Sequence, residues 1–219
     1  MNRTNRISAA LAALVLSVTP AYAQVSWTNW MTLGPSTAQG TLTAGAQSVG
    51  VTFSGPYTGV TQTACGTNYW APNTAYLSAG ITAPPNCQII TLSTGGLKTI
   101  TFTQAVVNPI LALVSWNGQS GVVFSGPIEI LSQGTGFWGT GTFSVLNANT
   151  LVGSGEAHGV IRLLGTYTSV SFTDASEDWH GFQIGVQGIS NNVVPEPATI
   201  ALTGCGVIAL LAIGRRRAA

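Results

Sequence analysis

The chain has 219 residues, of which only 6% are charged and 45% are hydrophobic, and its formal net charge is +1. Disordered chains are poor in apolar residues, so this composition argues against disorder, and the length suits one domain with terminal signals. Between residues 24 and 194 two bases stand against five acids, a net charge of −3. Because phosphate binding needs a basic surface, we expect no nucleic-acid partner.

Residues 1–23 have the three parts of a secretory signal peptide. Two arginines precede a short apolar stretch that ends at a proline, and Ala21 and Ala23 form a small-x-small cleavage site. The apolar stretch is too short to span a bilayer, so we expect cleavage and not a permanent anchor. The mature chain should begin at Gln24.

Residues 24–192 are predicted to form the exported domain. Short segments rich in valine, isoleucine, threonine and aromatic residues alternate with glycine, proline and asparagine, a pattern typical of strands and turns. We predict an all-β domain with a β-sandwich or jelly-roll-like fold. The predicted strands cover residues 25–32, 48–54, 88–92, 98–103, 110–116, 121–124, 128–131, 141–145, 160–164, 169–173 and 182–186.

Cys65 and Cys87 are the only cysteines of this domain. Export would place them in an oxidising compartment, where a disulfide between them is expected. The bond would close a loop of about 22 residues and contribute roughly 3 kcal/mol in the loop-entropy model. A metal role is disfavoured, because neither cysteine has a histidine close to it in sequence.

A polar cluster precedes the last predicted strand and contains Asp174, Glu177, Asp178 and Trp179. We favour a solvated acidic loop in which Trp179 covers the core. Its carboxylates could instead bind Ca²⁺, contact a glycan or perform glycoside acid–base chemistry. No cofactor is expected apart from this Ca²⁺ alternative.

Catalytic patterns are absent from the sequence around the two histidines, His158 and His180. No Gly-x-Ser-x-Gly elbow leads into a helix, and no phosphate-binding glycine loop is present. We therefore predict no catalytic residue and no enzyme activity. Glu156, which lies near His158 in sequence, could pair with Arg162, one of the two bases of the domain.

Tryptophan offers a second route to a binding site, since an exposed indole can stack on a sugar ring. Trp70, in the predicted disulfide loop, and Trp138, between two glycines, are the best candidates for exposure. Most tryptophans are nevertheless core residues.

The C-terminal segment, residues 193–219, has three parts in a fixed order. A proline-rich motif comes first, an apolar run over residues 198–214 follows, and an arginine cluster comes last. A helix over the apolar run rises about 25 Å, slightly less than a hydrocarbon core of about 30 Å, and arginines can cover the difference by snorkelling. The motif is Val194, Pro195, Glu196 and Pro197, and the cluster, which should stop transfer and stay in the cytoplasm, is Arg215, Arg216 and Arg217.

This order of features resembles the PEP-CTERM sorting signal, which is also catalogued as an ice-binding-protein C-terminal domain. Cys205 departs from the pattern, which usually has a small or aliphatic residue there. Segments 102–116, 155–161 and 178–185 also resemble parts of many PEP-CTERM exported domains. The resemblance implies a Gram-negative bacterium that makes exopolysaccharide, passage through the secretion machinery, a transient single-helix anchor in the inner membrane, and processing by an exosortase near Pro-Glu-Pro.

The expected function is therefore that of a non-enzymatic protein of the cell surface or of the extracellular exopolysaccharide matrix, as in a biofilm. Two alternatives remain open at this point. The domain could be a carbohydrate-binding module, which requires exposed tryptophans, or a glycan-acting hydrolase, which requires carboxylates that converge in a cleft.

Overall fold

The computed structural model describes residues 24–44 and 46–188. The predicted signal peptide, the sorting tail and Cys205 lie outside these residues. The described chain contains fourteen β-strands and one short 3₁₀ helix, Asn73–Tyr76, so the prediction of an all-β domain is confirmed. None of the described residues forms a helix of sufficient length and hydrophobicity to cross a membrane.

The strands form two antiparallel sheets, which we call the large sheet and the small sheet. In spatial order the large sheet consists of β10 (Gly141–Asn147), β11 (Thr150–Gly155), β8 (Val122–Phe124), β13 (Thr166–Asp174), β6 (Gly96–Val107), β4 (Gln47–Ser54), β3 (Thr37–Ala44) and β2 (Asn29–Leu33). The small sheet consists of β1 (Ser26–Trp27), β14 (His180–Val186), β7 (Ile110–Val114), β12 (Gly159–Leu163) and β9 (Ile128–Gln133), and β5 (Ile90–Leu92) pairs with the first half of β14.

The main core lies between the two sheets and draws buried residues from both. In β4, Val49, Val51 and Phe53 are buried while the residues between them are more exposed, which is the alternation expected of a sheet with one solvated face. These three residues therefore form the inward face of β4. The arrangement is that of a β-sandwich.

The small sheet is covered on its other face as well. Residues 55–89, which we call the loop layer, place Trp70 and Tyr76 against Ala112, Val114 and Val160 in a second apolar cluster. Because both faces are covered, every residue of β7 and of β14 is buried. A disulfide joins Cys65 to Cys87 in the loop layer, as predicted.

From β5 onward the chain passes back and forth between the sheets, except at the hairpin of β10 and β11. Five connections therefore meet at one end of the sandwich, which we call the loop end: residues 93–95, 115–121, 134–140, 156–158 and 175–179. Side chains tie these connections together. Ser176 Oγ accepts from the main-chain N–H of Gly95 at 2.8 Å, and Gln119 Nε2 donates to the carbonyl of Ala175 at 3.1 Å.

Candidate functional site

Four aromatic side chains contact one another at the loop end and form what we call the aromatic patch: Tyr69, Phe137, Trp138 and Trp179. Ring centroids lie 5.1 Å apart for Tyr69 and Phe137, and 4.8 Å apart for Tyr69 and Trp179. Trp138 is 54% exposed and Phe137 is 39% exposed. Exposed aromatic side chains that cluster in this way are candidates for contact with a partner.

A tight turn presents the two most exposed rings. The main chains of Gly136 and Gly139 exchange hydrogen bonds of 2.9 and 3.3 Å, and Phe137 and Trp138 occupy the tip between them. Gly136 packs directly on the ring of His158, since a Cβ at position 136 would lie 2.3 Å from His158 Cγ. The backbone of Gly136 is not in the left-handed region. This position therefore needs glycine for close approach and not for its φ angle.

His158 is fully buried beneath this turn and connects three segments. The main-chain N–H of Ser115 donates to His158 Nδ1 at 3.2 Å, and Tyr76 Oη lies 3.3 Å from the same nitrogen. Nδ1 is therefore the acceptor, which places the proton of the neutral ring on Nε2. Burial lowers the pKa of His158 to about 4, although the charge of Glu156 opposes the shift. The histidine is accordingly neutral at pH 7.

A buried charge cluster lies beneath the other side of the patch. Asp174 binds the Lys98 ammonium through Oδ1 and His180 Nε2, at 2.8 Å, through Oδ2. Glu177 Oε1 lies 2.8 Å from His180 Nδ1 and accepts from Gln119 Nε2, also at 2.8 Å. Burial by itself would lower the pKa of His180. The hydrogen bonds to Asp174 and Glu177, together with their charges, outweigh burial and raise it.

The predicted acidic loop is thus only partly solvated. Asp178 is exposed, as expected of such a loop. Asp174 is buried with both carboxylate oxygens engaged, and Glu177 is largely buried against His180. Trp179 is half-buried and belongs to the patch. Among residues 24–44 and 46–188 no three acidic, histidine or cysteine side chains are arranged to hold a metal ion.

Two possibilities that the sequence left open for single residues are not realised in the structure. Trp70 is not an exposed sugar-stacking candidate, because it is 2% exposed and its Nε1 donates to the carbonyl of Gln88 at 3.2 Å. Glu156 does not pair with Arg162, which instead forms an ion pair with Glu129 across β12 and β9. Glu156 accepts from Ser115 Oγ at 2.5 Å and from Asn117 Nδ2 at 2.7 Å.

Tyr69 and Phe137 are members of the patch that the sequence analysis missed. Each directly precedes a tryptophan that had been singled out, Trp70 and Trp138. Trp70 belongs to the second apolar cluster, while its neighbour Tyr69 is only partly buried against that cluster and contacts Phe137 and Trp179. An aromatic pair in a glycine-flanked turn was the signal that could have identified Phe137.

The loop end combines exposed aromatic side chains with carboxylates close to them. The exposed Asp178 directly precedes Trp179 of the aromatic patch. Glu156 lies beneath the aromatic turn, where Ser115 and Asn117 bind its carboxylate. Comparison with models of protein families, with curated proteins and with solved structures finds no significant match to this chain.

Proposed function

We propose that this protein is exported to the cell surface or exopolysaccharide matrix, where its β-sandwich binds polysaccharide through the aromatic patch. The observation that carries the binding role is the cluster of four contacting aromatic side chains at the loop end, with Trp138 54% exposed. The C–H faces of a pyranose ring are apolar, so they pack on an indole while the ring hydroxyls remain free for polar side chains.

The proposal gives the chain no catalytic role. Glycoside hydrolysis needs two carboxyl groups that reach the sugar from opposite sides. One carboxylate oxygen of Asp174 is bound by Lys98 and the other by His180, and Asp174 is only 6% exposed. Glu177 is turned toward the same histidine. A substrate would have to break this buried charge cluster to use either carboxylate.

The position of the patch agrees with surface anchoring through a C-terminal tail. β14 begins beside Trp179 and spans about 23 Å, at roughly 3.3 Å for each of its seven residues. Past its end, the carbonyl of Gly188 accepts from the main-chain N–H of Val107. A tail that continues from residue 188 would thus leave the end of the sandwich opposite the patch, so an anchored domain would present the patch away from the membrane.

Binding is tested by electrophoresis of residues 24–188 through gels that contain a polysaccharide. We expect retardation of the parent protein and its loss in Trp138→Ala. Leu146→Ala is the matched control, because Leu146 is an exposed apolar side chain on β10 near the opposite end of the sandwich. Equal retardation of the parent and Trp138→Ala by every polymer would refute the role of the patch.

The sorting route is tested separately in the full chain. Replacing Pro195, Glu196 and Pro197 by alanine should leave the predicted helix inserted and block processing, because the exosortase is proposed to act at this motif. A full-length species should then accumulate in the inner membrane. If this variant reaches the surface as efficiently as the parent, the tail is an anchor only.

A further inference from the structure

We propose that the polysaccharide bound at the aromatic patch is uncharged, and that Asp178 at the rim of the patch disfavours anionic polymers such as uronate-rich or sulfated glycans. This inference rests on the proposed function and adds the chemical class of the ligand. It is carried by the distribution of charge around the four rings.

Two carboxylates next to residues of the patch, Asp178 and Glu156, form no ion pair within the described residues. Asp178 directly precedes Trp179 in the chain and is exposed. Glu156 lies beneath the aromatic turn, since a Cβ at Gly139 would be 3.6 Å from its Cγ. Its oxygens are bound by Ser115 and Asn117, which are neutral, so its charge is solvated locally but not cancelled.

The described chain has no base available to offset these charges. Its lysine and its arginine are Lys98 and Arg162. Lys98 is fully buried in the ion pair with Asp174. Arg162 is paired with Glu129 near the opposite end of the sandwich, where its strand partner on β7 is Ile110, the first residue of that strand. His180 is fully buried between the carboxylates of Asp174 and Glu177, so it is not available to a ligand.

Anion recognition requires the opposite arrangement. Carboxylate and sulfate groups are bound by arginine, by lysine or by clustered main-chain N–H groups. A polymer with an anionic group on each sugar would bring charge repeatedly against Asp178. One such contact at about 7 Å in water weakens binding about threefold, and salt screens the effect because the Debye length falls from about 30 Å at 0.01 M to about 3 Å at 1 M.

The experiment uses polymers that share a backbone and differ in charge: hydroxyethyl cellulose against carboxymethyl cellulose, and neutral agarose-type galactan against sulfated carrageenan. Retardation of the parent protein is measured in 10 mM and in 1 M NaCl. We expect the anionic member of the bound pair to be at least about threefold weaker at low salt. This difference in affinity between the anionic and the neutral polymer should disappear at high salt, while binding of the neutral polymer stays unchanged.

Asp178→Asn should reduce the difference in affinity between the anionic and the neutral polymer at low salt, without altering the affinity for the neutral polymer. Glu129→Gln is the matched control, because it changes the net charge by the same amount but lies near the opposite end of the sandwich. It should leave the difference in affinity between the two polymers unchanged. Equal or tighter binding of the anionic polymer at low salt would overturn the inference, while sensitivity of that binding to Trp138→Ala would still uphold the proposed function. If neither pair is bound through Trp138, both proposals fail.

Discussion

At the scale of single residues, one glycine of the loop end leaves no room for a side chain. Gly136 has an ordinary backbone conformation, and its missing side chain alone lets the aromatic turn rest on the ring of His158. The imidazole in turn is fixed by Ser115 and Tyr76. The position of Trp138 therefore depends on His158, which is fully buried and cannot itself contact a ligand.

Gly136→Ala should displace the turn, because the new Cβ would lie 2.3 Å from His158 Cγ. We expect at least about tenfold weaker polysaccharide binding, equivalent to about 1.4 kcal/mol, and altered acrylamide quenching of Trp138. Gly121→Ala is the control, since its Cβ would meet Thr150 at an ordinary 3.5 Å. Unchanged binding and quenching in Gly136→Ala would contradict the role assigned to this contact.

The buried ion pair of Lys98 and Asp174 is a second feature of this scale. The alternation that directs Ile100 and Phe102 inward also directs Lys98 inward and leaves Leu97 exposed. A lysine forced into the core needs a partner, and Asp174 and the carbonyl of Thr94 provide it. The ion pair of Arg162 with Glu129 is instead partly exposed, with side chains 28% and 39% accessible.

Lys98→Met should therefore destabilise the domain far more than Arg162→Met. Removing one partner of a buried pair leaves an uncompensated charge and costs about 3–5 kcal/mol, whereas an exposed pair contributes about 0–1 kcal/mol. Urea unfolding followed by tryptophan fluorescence measures both free energies. Similar decreases in the free energy of unfolding in the two variants would show that the Lys98 side chain is not isolated from solvent.

At the scale of elements, the loop layer contributes both to the second core and to the aromatic patch. Trp70 and Tyr76 pack in contact on the small sheet, with ring centroids 5.1 Å apart. Tyr69, on the solvent side, completes the aromatic patch. The disulfide between Cys65 and Cys87 closes the part of the layer that carries all three residues.

Replacing both Cys65 and Cys87 by serine should loosen this layer while the two sheets persist. The loop-entropy model assigns roughly 3 kcal/mol to closing a loop of this length. Hydrogen exchange should show lost protection in peptides from residues 62–88 and retained protection in β4 and β6. Uniform loss of protection across both regions would mean that the loop layer and the sandwich unfold as one unit.

Two strands of the large sheet were not predicted, β3 and β11. Their sequences, Thr37–Ala44 and Thr150–Gly155, contain glycine and few large apolar residues. Glycine weakens an isolated strand, so local preference gives little signal. Each strand is held by its neighbours, since β3 pairs with β2 and β4 and β11 pairs with β10 and β8. The backbone at Gly40 and Gly153 is also approached closely by other main-chain atoms.

At the scale of the whole molecule, the two histidines give stability opposite dependences on pH. The pKa of His158 falls from 6.5 to about 4 on folding, so its neutral form stabilises the fold above pH 6.5 and this contribution is lost between pH 6.5 and 4. The pKa of His180 is raised, so its contribution is complete below pH 6.5 and is lost as pH rises through its folded-state pKa.

The histidine contributions should therefore give maximum stability near pH 6.5. The His158 part amounts to about 3 kcal/mol, at 1.36 kcal/mol per unit of pKa. Thermal unfolding across pH 4–9 would measure it. His158→Asn, whose Oδ1 can take the place of Nδ1 as acceptor, should flatten the acid side of the profile, and His180→Gln the alkaline side. Identical profiles in all three proteins would disprove this assignment.

The sequence alone determined the all-β class and most strands, because alternation of apolar residues and glycine-rich turns are local signals. It also determined the cysteine pairing, because the domain has only two cysteines. Tertiary structure alone decided which tryptophan is buried, which carboxylates are neutralised and which aromatic side chains meet. These outcomes depend on contacts between segments far apart in sequence, such as Tyr69 with Trp179 and Lys98 with Asp174. The type of a residue determines which interactions its side chain can form. The path of the chain between the two sheets determines which residues it contacts.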